Sequence, residues 1–422
     1  MQEAGVKRAY VAWRGGRVEA SHPVVEPLRE LMERDEVDYD EHEAVFLEAH
    51  KDCVFGAFLW RTARGQGCGG IRLRPYESTE AFLRDGLRLA IGMGRKSALA
   101  GLWWGGGKGV IARGEDDDLV NDPASRVELL RAYGAFITSL RGAYVAAEDA
   151  GISVADMDHV FETTRYTTCI SPSLGGSGNP SVPTALGVVA GMEGALAQLG
   201  MGTLQGKTVA VQGCGNVGGP MIRYLLERGV AKVTAVDIDA ARVAALEQEC
   251  ADIADGRLSA SVDASTAILA QEADIVSPCA FGGVLNADTV PKIRAKIVCG
   301  AANNQLLDPT TDYGMQAQGI TYCPDFVVNR MGIVNCANEQ YGRVGNPGGV
   351  EDPLVSRHLG TDFASSIPNA VSAIIARAEA EGSTTNEVAN AMANESAAQL
   401  HPILGHRTKD IVDRLIKDGW AA

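Results

Sequence analysis

The chain has 422 residues, 46% of them hydrophobic and 22% charged, and carries a net charge of −15 at pH 7. That length implies two domains, and the composition is ordinary for a soluble globular protein. The acidic balance argues against nucleic acid or an anionic membrane as partner, so an anionic ligand needs a local positive site. No basic stretch precedes an apolar core at the N-terminus, and no run of about 18 apolar residues occurs, so neither a signal peptide nor a membrane span is expected. Nine scattered cysteines with no C-x-x-C pair fit reduced thiols of a cytoplasmic protein, and no histidine spacing suits a metal.

In chain order, residues 22–45 carry helical spacing at Val25, Leu28, Leu31 and Met32, which predicts an exposed amphipathic helix. Residues 44–47 and 53–60 read as strands, the second followed by a glycine-rich turn over 65–70. The spacing predicts helices over 78–96 and 127–140, then a short strand at 144–147 ending at Glu148-Asp149. Residues 171–183, rich in Pro, Gly and Ser, form the clearest loop, with a helix from Thr184. From 207 onward the pattern changes. Strands at 208–212, 232–236, 274–277, 296–299 and 319–322, with helices at 216–228 and 239–250, imply a parallel sheet covered on both faces. Residues 345–366 read as loop again, and helices follow at about 368–381, 385–402 and 407–418.

Two segments carry chemistry. Gly213-Cys214-Gly215-Asn216-Val217-Gly218 places G-x-G-x-x-G between a strand and a helix, where glycines permit a tight turn and free N–H groups attract a pyrophosphate. A second strand ends at Asp237, where an acid binding the adenosine ribose belongs and where it would favour NAD over NADP; Asp239 competes for that role. The other segment is Gly105-Gly106-Gly107-Lys108-Gly109, behind the apolar run 99–104. A lysine so placed is poorly solvated, which lowers its pKa and suits proton transfer. The same glycines are also compatible with a structural turn, while Gly109 after the lysine departs from a phosphate-binding P-loop. Lys96 offers a fixed charge for a carboxylate, Asp149 or its neighbour Glu148 a general base, and Asn303 and Asn304 sit at a strand's carboxyl edge.

Taken together, Met93-Gly-Arg-Lys96, Gly105-Gly-Gly-Lys108, Ala147-Glu-Asp149-Ala-Gly151, Ser177-Gly-Asn-Pro180, Gly213-Cys-Gly-Asn-Val-Gly218, Cys279-Ala-Phe-Gly282 and Gly300-Ala-Ala-Asn-Asn-Gln305 occur in that order. Over roughly residues 45–342 the chain resembles the glutamate/leucine/phenylalanine/valine dehydrogenase family, most closely its leucine branch. The resemblance implies an α/β fold of two domains separated by a cleft. Residues 1–168 would form a mixed-sheet substrate-binding and oligomerisation domain and 169–364 a Rossmann-type, doubly wound NAD domain. The helices of 365–422 would pack back on the first domain. It also implies NAD-dependent, reversible oxidative deamination of an L-amino acid to a 2-oxo acid and ammonia by a homo-oligomer.

The resemblance assigns roles as well. Lys108 would polarise the 2-oxo group and activate water, its pKa lowered by burial and by Lys96, and Asp149 would be the general acid/base. Lys96 would bind the substrate carboxylate, with Gly69, Gly70 and Met93 near it and Asn329 orienting the substrate. Gly213, Gly215, Asn216, Val217, Gly218 and Asp237 would hold the dinucleotide. Thr184 would contact the carboxamide, and Cys279, Ala280, Asn303 and Asn304 would line the cofactor cleft. Glutamate-using members carry a lysine at Cys68 and a serine at Cys336. Cys68, Leu73, Ile333 and Cys336 therefore suggest an apolar pocket for Leu, Val or Ile. The pattern breaks at Arg330-Met331, where relatives have small residues. Two long residues here narrow the pocket, re-aim the loop or bring a cation near the substrate, where Arg330 could pair with an acidic or unusual group, which keeps an aromatic, glutamate or atypical amino acid open; alternatively Arg330 points to solvent and Met331 fills a gap. A 2-hydroxy-acid dehydrogenase is disfavoured because no histidine lies between His159 and His358. Retention of Lys96, Lys108 and Asp149 argues against a non-catalytic NAD-binding protein.

Overall fold

The computed structural model describes residues 1–35, 38–114, 121–342 and 352–422. The chain forms two units. The first comprises Met1–Asn179, Cys336–Arg343 and Ala393–Ala422, and the second Pro180–Asn335 and Val344–Met392. Among the described residues no helix is long and apolar enough to cross a membrane.

The first unit is built on a seven-stranded mixed sheet: β1 (Arg8–Arg14), β2 (Arg17–Ala20), β3 (Ala44–His50), β4 (Cys53–Trp60), β5 (Gly67–Pro75), β6 (Gly105–Arg113) and β7 (Tyr144–Glu148). Their spatial order is β2-β1-β3-β4-β6-β5-β7. β4 runs antiparallel to β3 and β6, whereas β5 lies parallel to β6 and β7. The helix Thr79–Leu99 starts where Ser78 Oγ accepts the Ala81 N–H. It buries Phe82, Leu83, Leu87 and Ala90 in a cluster with Phe58 and Trp60, each large side chain contributing about 1.5–3 kcal/mol. Residues from the chain's end join this unit: the Trp420 ring meets Phe46 edge-on at 5.0 Å.

Four expectations change here. The helix expected over 22–45 occupies only Glu26–Arg34, and its apolar face is buried, with Met32 wholly inaccessible. β1 and β2 were not legible. More consequentially, the expected turn at 65–70 runs into β5, and the glycine segment around Lys108 is not a turn but the strand β6. Space explains β6. A Cβ on Gly106 would stand 2.4 Å from the Ala90 carbonyl oxygen of the covering helix, and one on Gly109 would stand 2.5 Å from the hydroxyls of both Tyr133 and Tyr144. Glycine weakens a strand interior, and here it admits backbone and ring oxygens that no side chain would tolerate.

The second unit holds a parallel six-stranded sheet: β8 (Thr208–Gln212), β9 (Lys232–Asp237), β10 (Leu258–Val262), β11 (Ile275–Pro278), β12 (Ile297–Val298) and β13 (Thr321–Tyr322). The order β10-β9-β8-β11-β12-β13 is the doubly wound arrangement whose ligands bind where the strand order reverses, between β8 and β11. The expected strands fall within a residue or two of those observed. Only β10 was missed, an edge strand of mostly small, exposed residues without apolar alternation. The loop expected over 345–366 lies outside the described residues up to 351; beyond them, Pro353–Ser356 is a short helix.

Candidate active site

Lys108 lies opposite Phe58 at the centre of the first sheet, with 3% of its surface exposed. Its Nζ donates to Asp149 Oδ2. Asp149 stands just past the end of β7, and the parallel pairing of β5 with both β6 and β7 brings the two together. Asp149, not Glu148, reaches Lys108. Glu148 Oε2 is buried without a hydrogen-bond partner among the described residues, and burial pushes its carboxyl up.

Burial pushes the Lys108 ammonium down, Asp149 opposes that, and Arg72 adds to it, leaving the group below its usual 10.5. A cation joined to this pair is thus Arg72, which the sequence did not suggest. Burial would raise Asp149, but Lys108 and Arg72 overcome it and hold the carboxyl below its ordinary value. Arg72 Nη2 lies 3.4 Å from Asp149 Oδ2, while its Nη1 donates to Asp85 Oδ1 at 2.9 Å. The Tyr76 hydroxyl donates to the other Asp85 oxygen at 2.7 Å. Sequence reasoning missed this extension. Its only signal was the polar–apolar alternation Ile71-Arg72-Leu73-Arg74, just past the turn expected over 65–70.

The floor beside the pair is bare backbone. A Cβ on Gly70 would sit 2.5 Å from Asp149 Cβ, and one on Gly69 would sit 1.8 Å from the Gly107 carbonyl oxygen and 3.2 Å from Met93 Cγ. Lys96 is half-buried one helical turn beyond Met93 and on its face. Cys68 is fully buried, and burial pushes its thiol well up, so it stays neutral. Cys336 Sγ lies 3.0 Å from Cys169 Sγ; these cysteines, scattered in sequence, meet in space. Leu73 does not join Cys68. It lies five residues along the strand, roughly 16 Å away and on the opposite face, packed against Gly151.

In the second unit the three glycines of the turn do different things. Gly213 takes φ +100°, a left-handed conformation that favours glycine. A Cβ on Gly218 would stand 2.0 Å from the Gly213 carbonyl oxygen, so its absence lets the helix Gly218–Glu227 approach β8. A Cβ on Gly215 would meet only the Arg242 guanidinium. Asp237 Oδ2 accepts the Cys214 N–H at 2.7 Å and Oδ1 accepts the Asp239 N–H at 3.0 Å. Asp237 is therefore the acid fixed under the turn, while Asp239 caps the helix Ala240–Glu249 through the Ala241 N–H. A pocket of about 380 Å³ opens here, bordered by Gly213, Asn216, Val217, Asp237, Cys279 and Ala280.

Around the same sheet edge, Asn329 Nδ2 donates to Asn303 Oδ1 at 2.8 Å and to the Ala301 carbonyl at 3.1 Å. Asn304 adopts φ +53° and donates its N–H to Asp325. The Thr184 hydroxyl donates to the Pro180 carbonyl at 2.8 Å, which leaves its lone pairs as acceptors. Ile333 is buried in the helix Met331–Gln340. Arg330 does not point to solvent: it is fully buried and donates to the Ser365 carbonyl, with the imidazole of His358 nearby. Burial, then Arg330 and Arg357, push that imidazole down to about 3, which keeps it neutral beside the cation. Met331 does fill a gap, its Cγ lying 2.7 Å from where a Cβ on Gly187 would stand.

Residues 45–166 match the model of the Glu/Leu/Phe/Val dehydrogenase dimerisation domain, and residues 175–402 match that of Glutamate/Leucine/Phenylalanine/Valine dehydrogenase. The leucine dehydrogenase of Geobacillus stearothermophilus is 43% identical over 284 residues, covering 67% of this chain and 73% of that protein. The valine dehydrogenase of Streptomyces coelicolor is 39% identical over 351 residues, covering 82% and 88%. Among solved structures, the L-tryptophan dehydrogenase of Nostoc punctiforme superposes with a TM-score of 0.69 at 30% identity, covering 88% of this chain and 98% of that one. With a mixed-sheet unit carrying a buried lysine–aspartate pair and a doubly wound unit carrying a dinucleotide turn, the chain belongs to the glutamate/leucine/phenylalanine/valine dehydrogenase family of amino-acid dehydrogenases, enzymes that use a nicotinamide nucleotide.

Proposed function

We propose that the chain catalyses NAD-dependent, reversible oxidative deamination of aliphatic L-amino acids, with its first unit holding the substrate and its second the cofactor. The observation that carries this reading is the buried Lys108–Asp149 pair on glycine-lined strands. The pocket fits a dinucleotide: Gly215 is bare toward it, a helix begins at Gly218, and Gln212 Oε1 is a buried acceptor without a hydrogen-bond partner among the described residues. Gly213, Gly215, Asn216, Val217 and Gly218 would hold the diphosphate, and Asp237 the adenosine ribose, as an acid does when NAD is preferred to NADP. Thr184, Cys279, Ala280, Asn303 and Asn304 would border the nicotinamide end. When bound, the nicotinamide ring supplies the acceptor for the α-hydrogen in deamination and the donor in the reverse direction.

The protein's own groups do the rest. Lys96 would fix the substrate carboxylate beside Gly69, Gly70 and Met93, and Asn329 would help orient the substrate. As the α-hydrogen leaves as hydride, Asp149 accepts a proton from the amine, and a 2-imino acid results. Lys108 polarises the water that adds to the imine carbon. One water proton passes to the imine nitrogen as the C–O bond forms, and Asp149 then returns its proton to that nitrogen; as the C–N bond breaks the hydroxyl gives up its proton to the Lys108 amine, so ammonia leaves and the 2-oxo acid remains. A lysine lowered by burial shares a proton near working pH more readily than a solvated one.

Two neutral thiols of the first unit, Cys68 and Cys336, offer no partner to a side-chain carboxylate, and the relatives most similar in sequence are named leucine and valine dehydrogenases, while the similar solved structure is named an L-tryptophan dehydrogenase. A pocket of this kind separates substrates one methylene apart by only about 1–3 kcal/mol. Initial rates with NAD and leucine, valine, isoleucine, glutamate or tryptophan test this. The three aliphatic acids should lie within about 200-fold of one another in kcat/KM, with glutamate far below. Preference for glutamate or tryptophan would overturn the aliphatic assignment.

A further inference from the structure

A nicotinamide dinucleotide brings a doubly negative diphosphate into a pocket bordered by Asp237 and Asp263, on a chain of net charge −15. Among the described residues bordering this pocket, Arg242 is the cationic side chain. It sits in the first turn of the helix Ala240–Glu249 and reaches back over the glycine turn, its Nη1 2.8 Å from where a Cβ on Gly215 would stand. The second glycine of such a turn is bare so that backbone can approach the diphosphate. The guanidinium therefore occupies the approach that the phosphates take.

Its present partner is weak. Arg242 Nε lies 3.7 Å from Asp239 Oδ2, with side chains 54% and 50% exposed. An ion pair of that kind contributes little, and the Asp239 carboxylate is already engaged as a helix cap. Asp237, in contrast, is held in place by two backbone N–H groups, so the acid is rigid and the cation is the adaptable member of the pair. A planar guanidinium can donate to two phosphate oxygens at once, which an ammonium cannot.

We propose that Arg242 binds the cofactor diphosphate, a role that rests on the dinucleotide reading of this pocket given above. Arg242 turns from Asp239 to the phosphates and shares them with the N–H groups of the turn, while Asp237 takes the ribose. The exposed position of Arg242 makes its substitution compatible with folding.

Equilibrium titration of NADH, NADPH, ADP and adenosine against the wild-type chain, Arg242→Gln and Arg242→Lys tests the proposal. Arg242→Gln should weaken NADH and ADP about tenfold, the loss of one charge-assisted contact, and leave adenosine unchanged. Arg242→Lys should recover part of that loss. Equal weakening of adenosine, or no weakening of NADH and ADP, would overturn the role. So would a loss confined to NADPH, which would move Arg242 to a 2′-phosphate. A wild-type chain that bound neither NADH nor ADP would remove the dinucleotide reading itself, and the role of Arg242 with it.

Discussion

Lys108 and Asp149 form a pair whose proton inventory Arg72 adjusts. Burial and Arg72 both lower Lys108, and Lys108 and Arg72 hold Asp149 down against burial. In deamination the pair must accept protons, so kcat/KM should rise with pH along a limb that lies below the 10.5 of a solvated lysine; such a limb belongs to the pair rather than to either group. Arg72→Gln removes a cation that lowers Lys108, so the limb should move to higher pH. A limb that stayed in place or moved down would show that Arg72 has no electrostatic hold on the pair. Asp149→Asn keeps the shape and removes the proton acceptor, and steady-state kinetics should register a fall in kcat of about 10²–10⁴. Lys108 was singled out as a lysine among glycines, whereas Asp149 was not separable from Glu148 by local sequence and was assigned through the family resemblance. Arg72 and Asp85 were not legible, because their partnership depends on a strand and a helix whose pairing no local pattern announces.

The glycine segments β5 and β6 are the elements where local pattern and fold part. Their composition reads as turn, yet they run through the middle of the sheet, because the covering helix and the tyrosine hydroxyls leave no room for a Cβ. At Gly107 the obstacle is the neighbouring strand itself, since a Cβ there would stand 2.6 Å from the carbonyl carbon of Gly67. Gly107→Ala should lower the unfolding free energy by about 1–3 kcal/mol. Gly92, in the helix Thr79–Leu99 with nothing within 4 Å of its virtual Cβ, provides the contrast. Gly92→Ala should raise stability by up to about 1 kcal/mol through helix propensity. Urea unfolding of both variants tests the explanation, and shifts of the same sign would contradict it. The tie from Arg330 to the Ser365 carbonyl sits inside the second unit, so Arg330→Met should leave the relative kcat/KM values of the amino acids unmoved. A changed substrate order would return Arg330 to the pocket.

At the scale of the molecule, the second unit was legible nearly strand by strand. Parallel strands buried on both faces appear as short apolar runs, and β8, β9 and β11 to β13 stand out between helices. The first unit was less legible. β1 and β2 are partly exposed strands at the sheet's edge, and the residues that complete the unit, Ala393–Ala422, come from the far end of the chain. No local pattern in 22–45 states which core it joins, and the return of the C-terminal helices was expected from the family resemblance alone; Trp420 against Phe46 is visible only in three dimensions. In the proposed chemistry the buried lysine serves an amine-forming reaction, and on that role the other assignments depend. Its most direct test follows NADH consumption with 4-methyl-2-oxopentanoate, with and without ammonium, for the wild-type chain and Lys108→Ala, alongside NADH binding to both. Wild-type consumption should require ammonium, and Lys108→Ala should bind NADH normally yet turn over no substrate. Consumption without ammonium, or near-wild-type turnover by Lys108→Ala, would contradict the claim.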